Sequence, residues 1–89
     1  MLEAKIGQLV KSKAGRDKGQ YMIVLDIIDA NHVALVDGYC RKIGNPKKKK
    51  LKHLQLTTRI ANDFVAVLQS GKEPTDENVQ NALNSLLKS

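Results

Sequence analysis

The segment Gly7-Gln8-Leu9-Val10-Lys11-Ser12-Lys13-Ala14-Gly15-Arg16-Asp17-Lys18-Gly19-Gln20-Tyr21-Met22-Ile23-Val24-Leu25-Asp26-Ile27-Ile28 reads as two short strands joined by a glycine-punctuated loop. Its first arm, Gly7 to Lys13, mixes apolar and polar positions, and Ala14 to Gly19 interrupts it with turn residues. Tyr21 to Ile28 is the most apolar stretch of the chain, with Asp26 its only charge. Its length and β-branched content predict a strand rather than a helix. One alternate face, Tyr21/Ile23/Leu25/Ile27, is wholly apolar, whereas Asp26 interrupts the Met22/Val24/Ile28 face, so the first set is assigned to the core.

Outward from this unit, Asp29-Ala30-Asn31 supplies turn chemistry and His32 to Val36 returns as a strand. Asp37-Gly38 is a strong two-residue hairpin signal, which makes Tyr39 to Ile43 the expected antiparallel partner. Gly44-Asn45-Pro46 ends that partner, Lys47 to Lys50 follows as a charged loop, and Leu51 to Thr57 alternates as a fifth strand. Five short strands in under 60 residues predict a strongly curved, barrel-like sheet, since closure protects edges at this size. The period then changes. Ile60, Phe64, Val67 and Leu68 recur at helical spacing, Ser70-Gly71 is a stop, and Thr75 is an N-cap ahead of Asp76 and Glu77. Val79, Ala82, Leu83, Leu86 and Leu87 form one apolar stripe. The expectation is a mainly β chain: a five-stranded barrel over 1–57 and a helical hairpin over 59–88, within an extension (58–89) that packs on the barrel or a partner. Phe64 to Leu68 also admits a sixth strand.

Composition narrows the function classes. The chain has 89 residues, 42% apolar and 27% charged, which is ordinary globular usage with room for one core. No apolar run approaches the ~20 residues that span a bilayer, and Met1 to Lys5 lacks the apolar core of a signal peptide, so a cytoplasmic location is expected. A single cysteine, Cys40, agrees with a reducing compartment and is expected as a small half-buried strand residue. His32, Cys40 and His53 lie too far apart for a zinc motif, and neither a phosphate-cradling sequence nor a nucleophile–base pairing occurs, so no metal, cofactor or enzymatic activity is expected. The net charge of +6 is unevenly spread: residues 1–59 hold 13 Lys/Arg against 5 Asp/Glu (+8), and residues 60–89 hold 2 against 4 (−2).

Two basic elements stand out. In the first loop, Gly15 permits positive φ and close backbone approach, while Arg16 and Lys18, flanked by Lys13 and by Lys11 on the strand, offer charge to phosphates; a mere tight turn is the other account. The second is the run Lys47, Lys48, Lys49, Lys50, continued by Lys52 and preceded by Arg41 and Lys42. Like charges crowded on one loop repel, and phosphates relieve that cost, although a solvated loop or a nuclear localisation signal has the same composition. Aromatic residues number only three, Tyr21, Tyr39 and Phe64, and the tyrosines are expected to pack in the barrel. A platform that stacks successive unpaired bases is thus poorly supported, which favours recognition of backbone and shape in folded RNA.

The segment from Gly7 to Ile28, with its strand, Gly-Arg-Asp-Lys-Gly loop and second apolar strand, resembles the KOW motif. Asn31-His32-Val33-Ala34-Leu35-Val36-Asp37-Gly38 and Lys52-His53-Leu54 are similar to the archaeal and eukaryotic large-subunit ribosomal protein fourteen family and to small bacterial RNA-binding relatives. The resemblance covers roughly residues 5–57. It implies an SH3-like barrel whose first loop touches RNA, with Gly15 at the characteristic glycine, and it adds His53 to the candidate contacts. The function expected is non-catalytic binding of structured RNA, ribosomal RNA first, as a ribosomal or ribosome-associated protein with possible ribosomal-protein neighbours at the C-terminal helices. A protein-interaction module of a transcription or translation factor is the competing expectation, its interface being the apolar helical stripe.

Overall fold

The computed structural model describes residues 3–88. Its elements are β1 (Gln8–Ser12), β2 (Tyr21–Ile27), β3 (His32–Val36), β4 (Lys47–Lys50), a 3-10 turn (Leu51–His53), β5 (Leu54–Ile60), α1 (Asn62–Gln69) and α2 (Asp76–Lys88). The strands form one antiparallel sheet in the order β4-β3-β2-β1-β5. Among the described residues no ladder joins β4 to β5.

β2 is apolar on both faces because it serves two clusters. Val10, Met22, Val24, Val33, Leu35 and Leu54 pack on one side of the sheet. Leu9, Ile23 and Val36 on the other side are covered by Ala61, Phe64, Val79 and Leu83. Assigning a single core face to β2 is therefore corrected: Met22 and Val24 are as buried as Ile23, while Tyr21 and Leu25 are half-buried and Ile27 is 43% exposed. A register shift between Val24 and Asp26 sits where the apolar alternation ends.

The Asp37-Gly38 turn is wider than the hairpin expected, and the reason is the Asp37 carboxylate. Its Oδ1 accepts the N–H groups of both Tyr39 and Arg41 at 2.8 Å, and the Arg41 carbonyl accepts from Asp37 and Gly38. Residues 37–41 thereby curl instead of extending. The Ile43 N–H is drawn to Asp76 Oδ1 at 2.8 Å, so Tyr39 to Ile43 is not a strand. β3 pairs instead with the lysine run, from Leu35 opposite Lys47 to His32 opposite Lys50, which makes Lys47 to Lys50 a strand rather than a loop.

Leu51 to His53 is a 3-10 turn, so the fifth strand begins at Leu54, and it runs on through Ile60, past the expected start of the helices. Both expected helices are present, and Phe64 to Leu68 is helical. Thr75 caps α2 reciprocally: the Asn78 N–H donates to Thr75 Oγ1 and the Thr75 N–H to Asn78 Oδ1. The α2 stripe is directed at the sheet, with Val79 and Leu83 buried and Ala82 and Leu86 half-buried, whereas Leu87 is 47% exposed. The stripe thus covers this chain's own core.

Candidate nucleic-acid interface

The loop between β1 and β2 is shaped by its own backbone and by one distant lysine. The Gly19 N–H donates to the Ser12 carbonyl and the Lys18 N–H to that of Gly15, while Gly15 itself takes φ +86, a conformation that side chains resist. Lys49 reaches across from β4. Its Nζ donates to Ser12 Oγ (2.6 Å), the Ala14 carbonyl (2.7 Å) and Asp17 Oδ1 (2.5 Å), and the residue is only 8% exposed. Partial burial pulls the Asp17 carboxyl upward, but hydrogen bonds from Lys49 and Ser12 outweigh it and leave the group below its ordinary value of 3.8. The loop's single carboxylate is neutralised inward, and Lys13, Arg16 and Lys18 are left exposed.

Beside this loop, Arg16 meets Arg41 and Lys47 along a groove of about 250 Å3 that also includes Asp17, Gln20, Met22 and Cys40. Basic residues 25 and 31 positions beyond Arg16 thus share one rim with it. Lys42 is exposed nearby in sequence, on the curled loop. Strand alternation divides the lysine run: Lys47 and Lys49 lie on the side of the 13–19 loop, and Lys48 and Lys50, both exposed, on the other. Lys50 and Lys52 line a second groove with Asn31 and His32. There His32 Nδ1 bonds Asp29 at 2.9 and 3.2 Å, and this bond, with the Asn31 N–H, holds the exposed Asp29 carboxyl below its ordinary range.

Not every expected contact joins this surface. Lys49, expected among the RNA contacts, is instead turned inward onto Ser12, Ala14 and Asp17. Lys11 is half-buried on β1, its ammonium 5.4 Å from the centre of the Tyr21 ring, which packs toward the helices. His53 is half-buried and its carbonyl accepts the Lys13 N–H at 2.8 Å, so it ties the loop to the 3-10 turn. Cys40 is exposed on the curled loop rather than half-buried on a strand. Tyr39, expected inside the barrel, is 52% exposed, with Asn84 Nδ2 3.4 Å from its hydroxyl. Gln20 and Cys40 gave no signal in sequence as groove residues, because only the loop contacts bring them beside Arg16 and Arg41.

Among the described residues no group of three or more His, Cys, Asp or Glu could hold a metal ion, and no helix is long and apolar enough to cross a membrane. No family model matches the chain, and a search of curated proteins finds no match.

Proposed function

We propose that this chain binds folded RNA without catalysis, through an SH3-like sheet of the KOW type, as a ribosomal or ribosome-associated protein acting in the cytoplasm. The observation that supports it most is the rim shared by Arg16, Arg41 and Lys47, with the neighbouring carboxylate of Asp17 already satisfied by Lys49. Cations held in place along one groove, with the nearby carboxylate already paired to Lys49, suit phosphates at fixed spacing. Ribosomal RNA is the proposed partner class because it presents such folded backbone, and the resemblance over residues 5–57 points the same way. The apolar stripe on α2 favours no protein partner, since it lies against the sheet.

Salt titration tests the reading. Contact with about 4–6 phosphates gives a slope of log K against log[salt] of about −3 to −5, at roughly 0.7–0.9 per contact. Binding to a structured rRNA fragment with that slope is the expected result. A slope near zero, or tighter binding to an unstructured oligonucleotide of equal length, counts against it.

A further inference from the structure

We infer that the groove between the 13–19 loop and the curled 37–46 loop seats one unpaired nucleobase of the bound RNA. This rests on the RNA-binding reading and names the part of the RNA that the site takes. Phosphate contact alone accounts for the rim of Arg16, Arg41 and Lys47, but not for what lies between them. Cys40, which is exposed, lines the same groove above the buried Met22, and a cysteine sulfur can contact an aromatic ring while offering little to a phosphate.

Size and polar chemistry agree. At about 250 Å3 the groove has room for a single planar ring system with its sugar outside. Gln20 brings an amide that both donates and accepts. Asp17 also lines the groove, and its bonds to Lys49 and Ser12 both use Oδ1. A base inside a duplex keeps its edges and faces in the stack, whereas a bulged base presents both, and its flanking phosphates fall beside the cationic rim. This differs from a platform for a run of stacked bases, for which the chain lacks aromatic residues.

The test uses two RNA hairpins with identical stems, one carrying a single bulged adenosine and one fully paired, titrated with the full chain at equal salt. The bulged hairpin is expected to bind about tenfold tighter, the equivalent of about 1.4 kcal/mol. Cys40→Trp, which fills the groove from an exposed loop position, should bring the ratio of the two affinities down to about one. Gln20→Ala should reduce the preference severalfold. In the unaltered protein, alkylation of Cys40 by N-ethylmaleimide should slow more with the bulged hairpin than with the paired one at equal occupancy, a readout independent of whether any variant folds. Equal affinities, or equal protection by both hairpins, overturn the base seat and leave RNA binding standing. Failure of both hairpins to bind overturns RNA binding itself, and the seat with it.

Discussion

Lys49 sits third in a run of four identical residues, and yet it has a different task from its neighbours. With its ammonium directed at Ser12, Ala14 and Asp17, it has no proton left over for a phosphate. Lys49→Met should cost about 2 kcal/mol in urea denaturation, since hydrogen bonds to charged groups contribute roughly 1.5–3 kcal/mol. Adding Asp17→Asn should restore part of that loss, because the single change leaves a carboxylate without its counter-charge. The same variant should weaken RNA binding while keeping the salt slope, whereas Lys47→Ala should make the slope shallower by about 0.7–0.9. Acid gives an independent check. Because the folded Asp17 value lies below 3.8, its contribution to stability is complete above that pH and is lost as pH falls through the lower folded value. The stability difference between the unaltered protein and Asp17→Asn should therefore hold at neutral pH and shrink below about pH 4, as measured by urea midpoints across that range. None of this could be read from four adjacent lysines: which of them points inward follows from alternation along β4, and that exists only once β4 is paired with β3.

The curled loop and α2 are one unit at the scale of elements. Gly38 takes φ +82, and a Cβ there would lie 2.7 Å from the Asp76 carbonyl and from Gln80 Cγ, while Gln80 Nε2 donates to the Gly38 carbonyl at 2.7 Å. Gly38→Ala should cost about 2–3 kcal/mol, combining a left-handed backbone with a contact that only the helix can relieve by shifting. Thr75→Ala, which removes one half of the reciprocal cap, should cost about 1 kcal/mol. Thermal or chemical unfolding separates the two. β1, β2, β3 and both helices were legible because their apolar periods are strong and their neighbours are turn or cap residues. β4 was not, since lysine is depleted in strands and its extended form is imposed by the free edge of β3. The Asp-Gly pair pointed the other way, because a two-residue turn and an Asp-capped wider loop begin with the same residues, and the contest was settled by Asp76, far along the chain. In the candidate site, the cationic rim was visible as composition, while Gln20, Cys40 and the inward lysine depended on that same long-range packing.

Across the whole molecule, the helices supply the cover and the sheet supplies the charge. Deleting residues 72–89 should uncover Leu9, Ile23, Val36 and Phe64, which α2 shields through Val79 and Leu83, and increased binding of a hydrophobic dye together with loss of a cooperative melt would report it. Removing charge from α2 by Lys88→Ala should leave RNA affinity within about twofold, because salt-dependent binding follows the number of phosphate contacts and residues 60–89 carry no basic cluster. The position of β4 has one more effect, on solubility. It is an outer strand of the sheet, and an unpaired strand edge is a template on which a second copy can add. Lys47, Lys48 and Lys50 on that edge make such an approach a meeting of like charges, so residues proposed to attract RNA also keep copies of the protein apart. Neutralising Lys47, Lys48 and Lys50 together should then cause concentration-dependent self-association in light scattering. The unaltered protein should drift toward the same behaviour near 1 M salt, where charges are screened beyond about 3 Å.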